Sequence, residues 1–293
     1  MKQKILTIFT PTYNRGYILK KLYESLCKQT CRDFEWLIVD DGSLDNTNEM
    51  VQEWIEEKKI DICYYRQENG GKQRAHNLGV EKANTELFVC VDSDDYVLPE
   101  FVRCHLEHWK EVQTDSTVGG MISLQGHNEK TPMGTFFPDG LKRTTLTKLY
   151  TKLKFRGDAT LVHRTQLLRE YPFVVDEGEK FIGEGFVYYQ IDQKYCLAII
   201  PQILMIKAYL PDGYTRNVRK LTKDNPKSYV RLKRQTILFS QSWYDRFIQT
   251  ILYMVGCIMS KESRPICSAP YKGLALLAYF PAWIVWILFY KNA

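Results

Sequence analysis

The chain has 293 residues, 45% of them hydrophobic and 25% charged, with a formal net charge of +6. These proportions exclude a disordered or low-complexity chain and leave room for one large domain or two modest ones, each with a real core. Eight cysteines without a CxxC pair, and no histidine at zinc-finger spacing, do not read as a zinc module; a chain this long without a leader argues against a disulfide scaffold, so reduced thiols are expected.

The first residues do not read as a secretory leader. The apolar run Ile5 to Phe9 is broken by Thr10, Pro11, Thr12 and Asn14, whereas a leader core needs roughly 7–15 apolar residues. The fold is therefore expected to begin almost at residue 1, in the cytoplasm. Apolar runs then predict strands over 5–10, 34–40, 60–65 and 86–91. Helical spacing predicts helices over 18–29, 46–58 and 72–83, the second with the stripe Met50, Val51, Trp54 and Ile55. Such a βαβα rhythm predicts a parallel sheet with helices on both faces. A helix over 99–112 and a strand over 118–124 follow. Residues 125–215 are less regular, with several Gly and Pro, and the pattern after Asn217 is helical. From Arg216 to Arg234 eight basic residues face only Asp224, and 273–290 is almost wholly apolar.

In a parallel sheet, ligands bind beyond the carboxyl ends of the strands. Here those ends carry Thr10-Pro11-Thr12-Tyr13-Asn14, Asp40-Asp41-Gly42-Ser43 and Asp92-Ser93-Asp94-Asp95. Carboxylates one residue apart at a strand end can share a site, and with diphosphate oxygens would hold magnesium or manganese, which prefer oxygen ligands. An aspartate at 40 or 41 can accept from a nucleobase N–H or a ribose hydroxyl. Asn69-Gly70-Gly71-Lys72-Gln73-Arg74 opens the third helix, where backbone N–H groups and two cations suit an anion; it is not a Walker sequence. The five histidines form no triad or metal pattern, and no G-x-S-x-G elbow supports a serine hydrolase.

Together, Thr10-Pro11-Thr12-Tyr13-Asn14-Arg15, Val39-Asp40-Asp41-Gly42-Ser43, Asn69-Gly70-Gly71-Lys72 with Ala75 and Asn77, and Val91-Asp92-Ser93-Asp94-Asp95 resemble the ordered motifs of family 2 glycosyltransferases. The resemblance is strong over about 4–115. It continues more weakly through Gly157-Asp158, Gly178-Glu179-Lys180-Phe181 and Asp212-Gly213-Tyr214-Thr215. It implies the α/β GT-A fold, a mostly parallel Rossmann-like sheet flanked by helices, here with a helical C-terminal extension. The implied layout is a nucleotide-sugar half over 1–115, an acceptor half over 116–220 and a basic, then apolar tail over 221–293. The motif positions Thr10, Pro11, Tyr13, Arg15, Asp40, Asp41, Lys72, Asn77, Asp92 and Ser93 are the implied donor site, with Thr10, Tyr13 and Asp41 at the base, Lys72 near the donor and Asp92 at the ribose. Asp94, with Asp92, is the implied ligand of manganese or magnesium. Family members often carry Glu-Asp after the Gly-Glu-Lys-Phe stretch, one being the general base. Here the pair reads Glu184-Gly185, so Glu184 is the implied base.

The implied reaction is inverting transfer of a sugar from a nucleotide-sugar, by family habit a UDP-sugar, to a hydroxyl acceptor in cell-surface polysaccharide or glycolipid synthesis. Two alternatives stand beside it. Transfer to a polyprenyl phosphate needs no base, which suits Gly185; a non-catalytic nucleotide-sugar-binding scaffold is the other. Nucleic-acid binding by 216–234 lacks a motif or an aromatic platform. The apolar tail, near the ~20 residues that span a bilayer, is interrupted by Pro281 and carries interface-favouring Trp283, Trp286 and Tyr290. With the basic run before it, it predicts peripheral contact with the inner face of the membrane and a carbohydrate or lipid-linked acceptor, a true span, a buried helix packed on the core and a dimer contact being the alternatives.

Overall fold

A computed structural model describes residues 4–207 and 214–291. The chain divides into two compact units, Met1–Pro172 with Val187–Leu210, and Phe173–Phe186 with Pro211–Ala293. Asp212 and Gly213, part of the weaker resemblance, lie outside the described residues.

The first unit opens with β1 (Leu6–Thr12), α1 (Gly16–Cys27), β2 (Phe34–Asp40), α2 (Thr47–Glu57), β3 (Ile62–Arg66), α3 (Lys72–Lys82) and β4 (Leu87–Cys90). Then come β5 (Tyr96–Val97), α4 (Phe101–Val112), β6 (Val118–Gly126), β7 (Arg143–Thr144), α5 (Leu146–Thr151), β8 (Ala159–Arg164) and α6 (Thr165–Glu170). A short helix α7 (Gly185–Ile191) leads to β9 (Cys196–Ile206). One sheet runs β3-β2-β1-β4-β8-β6-β9-β5, with β7 on β9. Its first half, β3 to β4, is parallel throughout. Beyond β4 it is mixed, since β8 runs antiparallel to both β4 and β6 while β6 and β9 are parallel. The seam expected near residue 115 falls between α4 and β6, inside this unit, where β6 and β8 extend the same sheet.

Alternation along the strands decides which helices cover which face. Leu6 and Ile8 of β1, with Trp36 and Ile38 of β2, join Leu22, Val51 and Phe101 from α1, α2 and α4 in one fully buried cluster. At its centre Trp54 stacks on Tyr23 at 4.3 Å and on Trp36 at 5.9 Å, each such pair being worth about 0.5–1.5 kcal/mol beyond its area. Phe9 points the other way, edge-on to His76 of α3. A Cβ at Gly79 would lie 2.5 Å from the Phe9 ring, so this helix can approach β1 only through glycine.

β9 carries Pro201, which would ordinarily argue against a central strand. The ladder with β6 slips there, from Ser123 opposite Ile200 to Leu124 opposite Ile203, and Pro201 and Gln202 bulge to the surface.

In the second unit, α8 (Tyr214–Asp224), α9 (Pro226–Phe239), α10 (Trp243–Ser260), α11 (Pro265–Ser268) and α12 (Lys272–Phe289) give the helical region expected after Asn217. Their shared core includes Ile237, Tyr253, Met254, Ala275, Ala278 and Ala282. The stretch 173–186 is fixed to α9. Glu179 accepts from the backbone N–H of Lys227 (2.8 Å) and Ser228 (2.7 Å), capping the helix, and Asn225 accepts from the N–H of Lys180 and Phe181. Asp176 takes Arg231 in a two-bond fork.

Candidate active site

The parallel register sets the ends of β1 and β2 side by side, Thr12 opposite Asp40, and puts Phe9 opposite Cys90 at the end of β4. The motif residues at these ends divide into two groups.

The first group is turned inward. Thr10 is buried and its hydroxyl accepts from Trp36 Nε1 at 3.0 Å; Pro11 lies in the ladder opposite Val39. Asp40 is fully buried, accepting from the Ser43 N–H at 2.7 Å and the Tyr64 hydroxyl at 2.6 Å. Asp41 accepts four bonds: Gln67 Nε2 (2.7 Å) and the Gly70 N–H (2.8 Å) on one oxygen, the Gly71 N–H (2.8 Å) and Asn69 Nδ2 (3.1 Å) on the other. That uses the acceptor capacity of a carboxylate. It also corrects the reading of loop 69–74 as an open anion cradle, because the anion on the Gly70 and Gly71 N–H groups is Asp41 itself. Arg74 folds back onto the Gly70 carbonyl at 2.7 Å. Gly42 makes the approach possible, with φ +83° and the Asn69 nitrogen 3.1 Å from where a Cβ would stand.

The second group gathers at the end of β4. Asp92, Asp94 and Asp95 each present a carboxylate oxygen, all within 4.8 Å of one another. Asp95 was not among the expected ligands; its backbone N–H closes the turn on the Asp92 carbonyl at 3.1 Å, which brings it round to the others. Lys72, at the start of α3, pairs with Asp92 at 2.6 Å. Lys207, just past β9, pairs with Asp158 at 3.0 Å and lies in the field of Asp92 and Asp95. Nothing in the sequence marks Lys207, since only the folding of β9 into the sheet brings it here.

The electrostatics follow from this crowding. Burial raises the Asp92 carboxyl, but Lys72, Lys207 and Arg15 more than reverse it, holding the group below the ordinary carboxylate value. Asp94 is pushed up, first by burial and then by Asp92. Burial lowers Lys207, and Asp158, Asp92 and Asp95 more than reverse that, keeping its ammonium above the usual value. An all-carboxylate oxygen set with excess negative charge fits a hard divalent cation such as magnesium or manganese.

Of the other expected residues, Tyr13 is 44% exposed, Ser93 is buried and Asn77 is half-buried on α3. Glu184 is exposed immediately before α7 and belongs to the second unit. Three histidines that showed no metal or triad pattern are core residues. His105 bridges the Phe101 carbonyl and Ser123, His163 stacks on Tyr188, and His76 packs between Phe9 and Phe88.

A parallel half-sheet extended by mixed strands, with a carboxylate cluster at its carboxyl edge, is the architecture of GT-A glycosyltransferases. Residues 7–173 match the model of glycosyl transferase family 2, and the chain belongs to that family. The glycosyltransferase GlyA of Streptococcus pneumoniae is 27% identical over 187 residues, covering 64% of this chain and 26% of its own length. The poly(ribitol-phosphate) beta-N-acetylglucosaminyltransferase TarS of Staphylococcus aureus is 26% identical over 166 residues, 56% of this chain and 28% of its own. The chain thus spans between about a quarter and two-fifths of the first curated relatives it matches. Among solved structures, S. aureus TarS with UDP-GlcNAc superposes with a TM-score of 0.61 at 17% identity, over 98% of this chain and 82% of that one. The Pyrobaculum calidifontis mannosyltransferase PcManGT with GDP-Man and Mn2+ gives 0.55 at 17% identity, over 98% and 76%.

Proposed function

We propose that the chain is an inverting, metal-dependent glycosyltransferase that moves a sugar from a nucleotide-sugar, a UDP-sugar first, to a hydroxyl of a carbohydrate or lipid-linked acceptor. The setting would be cell-surface polysaccharide or glycolipid synthesis at the cytoplasmic face of the membrane. The observation that carries this reading is the cluster Asp92, Asp94 and Asp95 beside Lys72 and Lys207. Family membership supports it, as do the UDP-GlcNAc bound by TarS and the GDP-Man and Mn2+ bound by PcManGT.

In this reading the acceptor oxygen attacks the anomeric carbon as the bond to the diphosphate breaks, one displacement that inverts the centre. Asp94 and Asp92 would hold a divalent cation, whose chemistry is to neutralise charge on the leaving diphosphate. Lys72 and Lys207 add fixed positive charge on the same side, and Arg15 a third cation. Thr10, Pro11, Tyr13, Asp40 and Asp41 shape the base end, with Asp41 holding the 67–71 loop in place for it. Ser93 and Asn77 complete the donor site. Glu184 takes the acceptor proton as attack proceeds.

The test is thermal melting of the purified protein with UDP or GDP, with and without manganese, beside Asp94→Ala. Stabilisation by one nucleotide that needs the metal and disappears in the variant supports the reading. A folded protein that no nucleotide stabilises refutes it. Glu184→Gln should then lower turnover by about 10²–10⁴-fold on a hydroxyl acceptor while leaving the nucleotide shift intact.

A further inference from the structure

The helix α12 shows two faces. Ala275, Ala278 and Ala282 are fully buried in the core shared with α10, while Leu276, Leu277, Phe280, Ile284, Ile287 and Leu288 are each 45–73% exposed. The exposed residues recur every three or four positions, so they form one continuous side opposite the alanine seam. A monomer seldom leaves so large an apolar side uncovered without use.

Charge identifies what covers it. The second unit contains fourteen Lys and Arg against eight Asp and Glu, a net +6 that equals the excess of the whole chain, so the unit bearing the sheet is neutral overall. No acidic residue follows Glu262. Lys272 and Lys291 bracket α12, the Arg219 guanidinium lies 5.1 Å over the Phe289 ring, and Lys223 Nζ reaches the Lys291 carbonyl at 3.1 Å. Arg219 and Lys223 of α8 are therefore held at the end of the apolar side. A second copy of the chain would bring two +6 units together, whereas an anionic lipid surface meets both features at once.

We infer that α12 docks in the plane of an anionic phospholipid surface, its apolar side among the acyl chains and Arg219, Lys220, Lys223, Lys272 and Lys291 at the headgroups. This deepens the membrane setting proposed above and rests on it. Docking differs from spanning for a physical reason. Crossing the bilayer requires α12 to leave α10, pulling the fully buried Ala275, Ala278 and Ala282 out of the core they share with it. By length and composition α12 could cross a membrane, so the buried alanine seam, and not the length of the helix, is what argues for docking.

The experiment is co-sedimentation of the full chain with vesicles of phosphatidylcholine alone or with about 30% phosphatidylglycerol, followed by an alkaline carbonate wash. Expected are binding to the anionic vesicles, binding weaker by about tenfold or more without phosphatidylglycerol, and release by carbonate. Leu277→Glu with Phe280→Glu, both at exposed positions, should weaken binding about tenfold or more. Arg219→Ser with Lys220→Ser should weaken it only on anionic vesicles. Four outcomes overturn the inference: no binding, binding indifferent to lipid charge, carbonate resistance (a span), or a lipid-free dimer that the double glutamate variant abolishes (a second copy). Nucleotide-induced melting shifts on the same preparations report the donor site separately, so failure at the membrane cannot be mistaken for failure of the glycosyltransferase reading.

Discussion

Two strand ends of the sheet carry adjacent aspartates and use them oppositely. At the end of β2, Asp40 and Asp41 together accept six hydrogen bonds from Ser43, Tyr64, Gln67, Asn69, Gly70 and Gly71. At the end of β4, Asp92 and Asp94 crowd with Asp95, balanced by lysines from distant parts of the chain. The first pair organises a loop; the second is the charged cluster that the proposed reading assigns to the cation and the donor diphosphate. Identical residue types at strand ends thus differ in their partners: backbone N–H, amide and hydroxyl donors fix the first pair in a loop, while lysine ammonium groups balance the charge of the second.

The comparison can be broken most sharply at Asp94. Asp94→Ala should lower turnover on the order of 10³-fold, several kcal/mol of lost charge stabilisation, yet leave urea unfolding unchanged or slightly improved, because it relieves a crowded, half-buried carboxylate. A variant that unfolds would place Asp94 with the scaffold pair. Asp41→Ala should do the reverse and cost about 3–5 kcal/mol of unfolding free energy, since the buried N–H groups of Gly70 and Gly71 lose their acceptor. A stable Asp41→Ala protein that fails only to bind nucleotide would overturn the division.

A smaller effect is expected from acid. Burial lowers the pKa of His76 to about 3 and of His105 and His163 to about 4. Their folded values lie below the unfolded one, near 6.5, so between pH 6.5 and 4 the unfolded chain binds more protons. Stability therefore falls as pH falls, on the order of 1 kcal/mol per histidine per pH unit. Melting between pH 7 and 5 checks this, and His105→Gln should flatten the slope. Smallest is Tyr64→Phe, which removes one of Asp40's two donors and should cost about 1–2 kcal/mol. A drop in turnover without loss of stability there would bring Asp40 into the site.

Much of the first unit was legible because β1 to β4 alternate with amphipathic helices, and the acidic ends of β2 and β4 stood out. β8 and β9 were not legible. Pro201 disguises β9, and only the bulge that throws Pro201 and Gln202 outward reconciles that proline with an interior strand. Lys207 was lost with it. The role of Asp41 was hidden for a related reason: a carboxylate followed by glycine looks the same whether its partners are a ligand or backbone N–H groups thirty residues on. Glu179 shows the same ambiguity, matching a family stretch while capping α9.

The six tryptophans divide evenly between the two units. Trp36, Trp54 and Trp109 are at most 6% exposed, and two of them stack with Tyr23. Trp243 and Trp283 are 66% and 38% exposed, and Trp286 is half-buried. The protein therefore carries two optical reporters in one chain. Blue-shifted emission that iodide cannot quench, with a strong near-ultraviolet dichroism from the stacked rings, should follow the sheet and, through the Trp36–Thr10 hydrogen bond, the floor of the proposed donor site. The iodide-quenchable emission should follow the helical unit, so nucleotide and lipid can be titrated into one sample and read in separate channels.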